Sequence, residues 1–192
     1  MNYICNTCLG GWIYKKNKTA YNNPFIWNGI DVIPMLNLIN HFEEIKNTND
    51  IELDKDSTTK NQSFIIKLPY NVNIHYRHYR LDLTAKTNYV NGVDVFGSKI
   101  YEYTYNKFLE RKERMNENNE EPTFIVVTRI SDIYNYTLEN TIDFIKNLHT
   151  KYKVIIITNY KELKKYETEN VSVSCIKENV NVINAAELVK YI

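Results

Sequence analysis

Two long apolar runs flank an amphipathic segment in the second half of the chain. Residues 123–130 (TFIVVTRI) and 152–160 (YKVIIITNY) are rich in β-branched side chains, which is typical of strands buried on both faces of a sheet. Between them, residues 137–149 carry apolar side chains at helical intervals, and Thr137 in front of them is a suitable N-cap. Strand, helix and strand in this order predict a parallel βαβ unit.

Other segments predict further elements around this unit. Apolar runs predict strands at 2–6 and 171–177 and, as a pair divided at Pro69, within 63–79. Periodic apolar positions predict helices at 12–16, 31–45, 98–115 and 184–192, with Pro34 tolerated in the first turn of its helix. The polar segments 46–62 and 116–122 are expected to be mobile surface loops.

These elements predict an α/β fold, a three-layer α/β/α sandwich built on a mixed, mainly parallel sheet. We expect residues 123–130 and 152–160 to be adjacent parallel strands joined by a right-handed crossover. The length of 192 residues suits one sizeable domain, and no linker or repeat divides the sequence. We therefore expect a single domain spanning residues 1–192.

Composition narrows the classes of partner. The 24 Lys and Arg residues nearly balance the 23 Asp and Glu residues, and no basic tail stands out, so we expect no nucleic-acid partner. No apolar run approaches the length of a membrane span, and the first residues do not have the pattern of a charged leader before an apolar stretch. We expect no membrane partner, and the composition leaves the oligomeric state open.

Three cysteines bear on redox and metal chemistry. Cys5 and Cys8 form a C-x-x-C pair, but a zinc site needs a second pair of ligands, and Cys175 stands alone. Cys5 also lies inside an apolar strand rather than at a helix start, which disfavours a redox pair. We therefore expect no metal, no cofactor, and a reduced protein in the cytoplasm.

The stretch NYICNTCLGGWIY (2–14) places a thiol where a strand runs into a helix. In a parallel sheet, ligands gather beyond the carboxyl ends of the strands. If the strands are neighbours, this predicts one edge formed by three segments: Asn6-Thr7-Cys8, Thr128-Arg129 and Thr158-Asn159. A thiol at a helix start has a lowered pKa, and Gly10 and Gly11 would leave backbone amides open to an anion or oxyanion. Cys8 is then either a nucleophile or a small buried residue beside a turn that needs glycine.

A cysteine nucleophile needs a base, and VNIHYRHY offers His75 and His78. Because these residues are three positions apart on a predicted strand, they face opposite sides, and at most one should reach Cys8. The alternative is that the histidines are structural residues of an aromatic-rich strand.

Basic side chains offer an anion-binding alternative. Arg111 and Arg114 lie on a basic stripe of the long helix, where they could meet a phosphate or carboxylate, or form a solvated face paired with glutamates. Arg129 ends an apolar strand, where burial of its charge needs an anionic partner. We regard Arg129 as the stronger candidate for a binding residue.

Four short motifs follow one another along the chain: NTCLGGWIY (6–14), YNNPF (21–25), IHYRHY (74–79) and FIVVTR (124–129). Their order and spacing resemble a family of functionally uncharacterised proteins often labelled exopolysaccharide biosynthesis proteins. The motif PFIW and His78 also resemble a second family, described as papain-like cysteine peptidases, in which the corresponding cysteine and histidine are the proposed dyad. The aspartate usual after PF in that family is absent here, and no third triad member is evident.

The resemblance implies a three-layer α/β/α protein with a carbohydrate-related role and a pocket shared by Cys8 and His78. The expected catalytic pair is therefore Cys8 and His78, in a hydrolase or transferase acting on a glycan-linked or acyl substrate. The competing hypothesis is a non-catalytic module for a sugar phosphate or acidic glycan. The expected partner is in either case a small molecule or carbohydrate. The substrate-binding candidates are Asn6, Gly10, Gly11, Trp27, His75, Arg111, Arg114 and Arg129.

Aromatic residues near these motifs suggest how a sugar could be held. Rings can stack on the apolar faces of sugars, and the motifs carry several of them. The alternative is that the same rings belong to the core, as most clustered aromatics do. The aromatic candidates are Trp12, Tyr14, Tyr21 and Trp27.

Overall fold

The computed structural model describes most of the chain, and all statements below concern its described residues. These are residues 2–7, 9–18, 21–26, 28–56, 64–76, 87–90, 93–96, 99–128 and 137–176, with the backbone alone for those between 87 and 100. The predicted helix at 184–192 therefore lies outside the described residues.

Nine strands and five α-helices are defined in this part of the chain, together with one 3-10 helix at Lys161–Tyr166. The strands are β1 (Tyr3–Cys5), β2 (Glu52–Leu53), β3 (Phe64–Leu68), β4 (Val72–Tyr76), β5 (Thr87–Val90), β6 (Val93–Phe96), β7 (Thr123–Val127), β8 (Lys153–Thr158) and β9 (Val171–Cys175). The helices are α1 (Leu9–Asn17), α2 (Val32–Asn40), α3 (Phe42–Asn47), α4 (Lys99–Glu117) and α5 (Leu138–Lys146).

A four-stranded parallel sheet in the order β1-β7-β8-β9 forms the centre of the fold. Strands β7 and β8 pair in parallel, with Thr123 opposite Lys153 and Val127 opposite Ile157, which confirms the predicted βαβ unit. Thr137 accepts a hydrogen bond from the Asn140 amide (3.1 Å) and caps α5 as predicted.

The predicted α/β fold is confirmed. The parallel strands form one sheet, and the antiparallel strands form two further sheets. Strands β2, β3 and β4 form one antiparallel sheet, and β5 pairs with β6. The β3–β4 hairpin turns at Pro69, as predicted, and both Tyr70 and Asn71 have positive φ angles (62° and 58°).

Side chains alternate between the two faces of the parallel sheet. Cys5, Ile125 and Ile157 face a small core closed by Leu9 and Ile13 of α1. The opposite face, which includes Ile4, Phe124 and Val126, packs in a larger core against α2, α3, α5 and the β3–β4 hairpin. The parallel sheet therefore lies between two layers, as the sandwich prediction requires.

The predicted helix at 31–45 is two helices, which corrects the sequence-based boundary. His41 has φ −114° and ψ 29°, outside the helical range, and its ring stacks on Tyr70 with centroids 3.8 Å apart. The break turns Phe42 into the core, where its ring meets Phe124 and Tyr152 edge to face. Burial of Phe42 and the stacking of His41 thus outweigh helical continuity at this position.

The loop boundaries also differ slightly from the prediction. Helix α4 continues to Glu117, beyond its predicted end. The short strand β2, which pairs with β3, is compatible with the prediction of at most a short strand within 46–62. None of the described helices is both long enough and apolar enough to cross a bilayer.

Candidate functional site

The parallel sheet has a topological switch point between β1 and β7. Helix α1 follows β1 and packs on one face of the sheet, whereas α5 follows β7 and packs on the other face. Where the helices after two neighbouring parallel strands diverge in this way, a crevice opens beyond the carboxyl ends of the strands, and α/β proteins bind ligands there. The candidate site is this crevice.

Asn6 lies at the floor of the crevice and joins the two strands through its side chain. Its Nδ2 donates to the Val127 carbonyl (3.1 Å), and its Oδ1 accepts from the Val127 amide (2.9 Å). The side chain is fully buried and continues the β1–β7 ladder by one position after β1 itself has ended. Asn6 therefore fixes the start of the turn that follows β1, and its amide is committed to Val127.

The turn between β1 and α1 is short and tightly packed. Strand β1 ends at Cys5 and α1 begins at Leu9, whose amide donates to Thr7 Oγ1 (3.3 Å). A Cβ atom added to Gly10 would lie 3.3 Å from the Cys5 sulfur, which is closer than most such contacts. Gly10 thus allows α1 to lie against β1, and Gly11 beside it is also buried.

A short backbone path connects this turn to the histidine-bearing strand. The Ile30 amide donates to the Asn6 carbonyl (3.0 Å). One residue earlier, Gly29 forms an antiparallel bridge with His75, with N–O distances of 2.7 and 2.9 Å. Strand β4 therefore reaches the carboxyl end of β1 through residues 29 and 30, and the half-buried His75 lies on this connection.

Three buried side-chain oxygens around the crevice have no hydrogen-bond partner among the described residues. They are Asp31 Oδ1, Thr128 Oγ1 and Asn159 Oδ1. Asp31 is the N-cap residue of α2, yet its side chain makes no capping bond. Because buried polar atoms are normally satisfied, each of these oxygens calls for an explanation, as does Thr104 Oγ1 on α4, away from the crevice.

Arg111 and Arg114 lie together at a different place, around Tyr21. The Arg111 guanidinium carbon lies 5.5 Å from the centre of the Tyr21 ring, and Arg114 Nη1 donates to the Tyr21 carbonyl (3.0 Å). Arg114 also pairs with Glu110, and Lys107 pairs with the same carboxylate (2.6 Å), so hydrogen bonds from Lys107 and Arg114 lower the pKa of Glu110. Both arginines thus contact Tyr21, with the Arg114 side chain still 40% exposed, and the predicted glutamate pairing holds for Glu110.

The YNNPF motif is held by a buried polar network at the amino end of β1. Asn23 Nδ2 lies within hydrogen-bond distance of the Tyr3 carbonyl (3.0 Å), Tyr14 Oη (3.1 Å) and Asn2 Oδ1 (3.2 Å). Asn23 Oδ1 accepts from the Phe25 amide (3.0 Å). This network joins the NTCLGGWIY and YNNPF segments through Tyr14 and Asn23.

Tyr14 belongs to this network and not to an exposed sugar-binding surface. Its hydroxyl donates to Asn22 and accepts from the Tyr3 amide (3.1 Å), and its side chain is 2% exposed. Burial raises the pKa of Tyr14 to about 12. The Tyr21 ring meets Tyr14 edge to face at 6.0 Å, which supports the core interpretation of these two aromatics. Trp12 is 37% exposed on the outer side of α1.

Four of the predicted site residues lie outside the described residues: Cys8, Trp27, His78 and Arg129. Their predicted roles stay predictions. Of the others, Asn6, Gly10 and Gly11 come together around the β1–α1 turn, and His75 connects to it through the backbone. Within the described ranges, no three histidine, cysteine, aspartate or glutamate side chains are grouped as a metal site would require.

Sequence reasoning placed Thr128 and Asn159 at the crevice but missed Asp31. The signal was present, because an aspartate directly before an apolar helix is a helix-start pattern. What the pattern could not reveal is that the Asp31 side chain does not cap its helix. The hydrogen bond from Ile30 to Asn6, which brings Asp31 to the crevice, joins residues distant in the sequence.

Fold and site together define an α/β protein with a switch-point crevice at the strand-to-helix turn after β1. No protein-family model matches this sequence, and no curated protein matches it.

Proposed function

We propose that this protein is a cysteine-dependent hydrolase or transferase, with Cys8 as nucleophile and His78 as base, in the family that its motifs resemble. The observation that carries the proposal is the backbone path from Asn6 through Ile30 and Gly29 to His75. It brings the strand that precedes His78 to the turn that contains Cys8.

The turn has features that suit a nucleophile. Residues 6 and 7 lie at the switch-point crevice, and α1 begins directly after residue 8, so a thiol here would lie near the positive end of the helix dipole. Asn6 and Gly10 hold the turn rigidly between β1, β7 and α1. Preorganisation of this kind is what covalent catalysis needs.

The proposed reaction has two steps. In the first, the Cys8 sulfur attacks the carbonyl carbon of an ester or amide, while His78 accepts the thiol proton and passes it to the leaving group. Backbone amides of the glycine-containing turn would stabilise the oxyanion. In the second step, water or an acceptor hydroxyl attacks the thioester, which releases the acyl product and restores the thiol.

The alternative of an anion-binding module depended in part on Arg111 and Arg114. Because both are engaged with Tyr21, the support for that module reduces to Arg129. The support for the enzyme hypothesis is the backbone path from Asn6 to His75.

Thiol alkylation tests the proposal. With limiting iodoacetamide at pH 7, peptide mapping by mass spectrometry should show Cys8 modified at least about tenfold faster than the half-buried Cys175. His78→Ala should slow Cys8 alkylation, whereas His75→Ala is the matched control from the same strand region and should have little effect. Equal rates at Cys8 and Cys175, with ligand binding that survives Cys8→Ala, would contradict the enzyme hypothesis and favour a binding module.

A further inference from the structure

Arg111 is a buried arginine whose N–H groups have no hydrogen-bond acceptor among the described residues. It is 6% exposed on α4, and its guanidinium lies 5.5 Å from the centre of the Tyr21 ring. This ring contact uses none of the five N–H donors, and the Arg111 nitrogens are not fully enclosed, so an acceptor from solvent can reach them. Because arginine is rarely this buried without a partner, Arg111 calls for an anion from outside the described protein.

Arg114 brings a second guanidinium to the same place. It follows Arg111 by three positions and therefore lies on the same side of α4. Its Nη1 donates to the Tyr21 carbonyl (3.0 Å), and its Nη2 pairs with Glu110. Two guanidinium groups one helical turn apart, both in contact with Tyr21, can bind the oxygens of one small anion.

Tyr21 is held in place by the buried network at the amino end of β1. Its ring meets Tyr14 edge to face at 6.0 Å, and the Tyr14 hydroxyl is fixed by Asn22 and by the Tyr3 amide. Because Tyr21 is held from behind, the two guanidinium groups that contact it are positioned before an anion arrives. A site that is organised in advance loses less entropy when it binds.

The part of α4 that carries these arginines has an excess of positive charge. Residues 107–114 contain four basic and two acidic side chains, which gives a net charge of +2. Glu110 is already shared by Lys107 and Arg114, and no described carboxylate forms an ion pair with Arg111.

The elements around Tyr21 do not compensate for this charge. Residues 1–30, which include Tyr21 and α1, contain three lysines and no acidic residue. Three exposed glutamates at the end of α4 and in the segment after it form no ion pair with Arg111 or Arg114 in the described part of the chain: Glu117, Glu120 and Glu121. A ligand with two negative charges therefore matches this site better than a ligand with one.

We propose that Arg111 and Arg114 bind a terminal phosphate group, either free phosphate or a phosphate monoester. Near pH 7 such a group carries a charge of about −1.5 to −2 and offers three acceptor oxygens, which suits two guanidinium groups. A phosphodiester or a carboxylate carries only one charge. The site lies at Tyr21, beside the amino end of β1, and the proposed catalytic site lies beyond the carboxyl end. The inference therefore goes beyond the proposed function and does not depend on it.

Three anions test the charge requirement on the full chain at low ionic strength. Inorganic phosphate has the proposed charge, dimethyl phosphate keeps the tetrahedral shape with one charge, and acetate represents a carboxylate. At about 10 mM, phosphate should raise the melting temperature of the wild-type protein, and the other two anions should not. Tighter binding of glucose 6-phosphate than of phosphate would identify the ligand as a monoester, and equal binding would identify it as the phosphate group alone.

Substitutions of basic residues locate the binding by calorimetric titration. Arg111→Gln should raise the dissociation constant for phosphate at least about thirtyfold, because a charged hydrogen-bonding partner is lost. Arg111→Lys should raise it about tenfold, since lysine keeps the charge but not the planar fork. Two controls make the same change of charge elsewhere, Arg129→Gln at the end of β7 and Lys161→Gln on the exposed side of the 3-10 helix. Both should bind phosphate within about twofold of the wild type.

Several results would overturn the assignment. They are no stabilisation by phosphate, equal stabilisation by acetate or dimethyl phosphate, and unchanged phosphate binding in Arg111→Gln. Loss of binding in Arg129→Gln alone would place the anion in the crevice, and equal weakening in Lys161→Gln would show a general effect of net charge. Either of these also overturns the assignment. If Arg111→Gln does not fold, Arg111→Lys provides the same comparison with the two controls.

Discussion

The buried polar groups near the two ends of β1 differ in whether they are hydrogen-bonded. At its amino end, the side chains of Asn23 and Tyr14 bond to one another and to the backbone of Tyr3. At its carboxyl end, Asp31 and Thr128 each retain a buried oxygen without a partner among the described residues. The same short strand therefore borders a satisfied network at one end and, beside the hydrogen-bonded Asn6, two unpaired oxygens at the other.

This difference distinguishes buried polar groups that stabilise the fold from buried polar groups that are candidates for binding or catalysis. A satisfied buried network rigidifies the fold and specifies one packing, whereas an unsatisfied one costs stability unless it serves binding or catalysis. The comparison predicts that substitutions at the amino end destabilise the protein. Substitution of the unpaired Thr128 at the carboxyl end should leave stability unchanged or improve it.

Asn23→Ala should show the largest effect. It removes the partner of the Tyr3 carbonyl, of Tyr14 and of the Phe25 amide inside a largely buried network, and we expect a loss of about 3 kcal/mol in the free energy of unfolding. Urea denaturation measures this loss. Asn49→Ala is the control, because Asn49 is exposed, and it should change stability by less than about 0.5 kcal/mol. A similar small change for Asn23→Ala would show that the network is not structural.

Tyr14 should make stability depend on alkaline pH. Burial raises its pKa from 10.0 to about 12, so the folded state holds the proton more tightly than the unfolded state. The stabilising contribution is complete below pH 10 and is lost as the pH rises through 12, by about 2 to 3 kcal/mol in total.

Unfolding in urea at several pH values between 9 and 12 would reveal this loss. In Tyr14→Phe the pH dependence over this window should be smaller, although the variant is less stable at neutral pH because the Tyr3 amide loses its acceptor. An unchanged pH dependence in Tyr14→Phe would place the titration elsewhere.

Gly10→Ala tests the close packing behind the β1–α1 turn. The new Cβ would press on the Cys5 sulfur at 3.3 Å, and we expect a loss of about 1 kcal/mol despite the better helix propensity of alanine. In a Cys5→Ala background the contact is absent, and Gly10→Ala should instead stabilise the protein by about 0.5 to 1 kcal/mol. If both backgrounds respond alike, the Cys5 contact does not explain Gly10.

Much of the fold was predictable because its elements are set by local patterns. The apolar runs at 123–130 and 152–160 and the cap at Thr137 are local in the sequence, and they predicted β7, α5 and β8. The break at His41 was not predictable, because it depends on stacking against Tyr70 of a distant hairpin.

For the candidate site, the sequence could predict only which residues lie at the same edge of the sheet, because this follows from the strand topology. Strand ends placed Asn6, Thr128 and Asn159 at one edge of the sheet, which the parallel pairing confirms. Whether a polar atom there is satisfied depends on hydrogen bonds between distant residues, such as that from Ile30 to Asn6. For this reason the sequence suggested Asn6 as a ligand contact, whereas its side chain is committed to Val127.

A pair of buried threonines gives the smallest effect and the most direct test of the contrast between satisfied and unsatisfied groups. Thr128 and Thr141 are both fully buried, but only the Thr141 hydroxyl has a partner among the described residues, the Thr137 carbonyl at 2.7 Å. Valine keeps the shape of threonine and removes the hydroxyl. Thr141→Val should therefore cost about 1 kcal/mol, because the hydrogen bond from the Thr141 hydroxyl to the Thr137 carbonyl is lost.

Thr128→Val should have the opposite sign, with a gain of up to about 1 kcal/mol in the absence of ligand, because it removes an unpaired buried hydroxyl. Urea denaturation of both variants under the same conditions measures the difference. A loss at Thr128 equal to that at Thr141 would mean that the Thr128 hydroxyl is satisfied in solution, and the carboxyl end of β1 would then be ordinary core. A gain at Thr128 would show that its hydroxyl is unpaired in the folded protein.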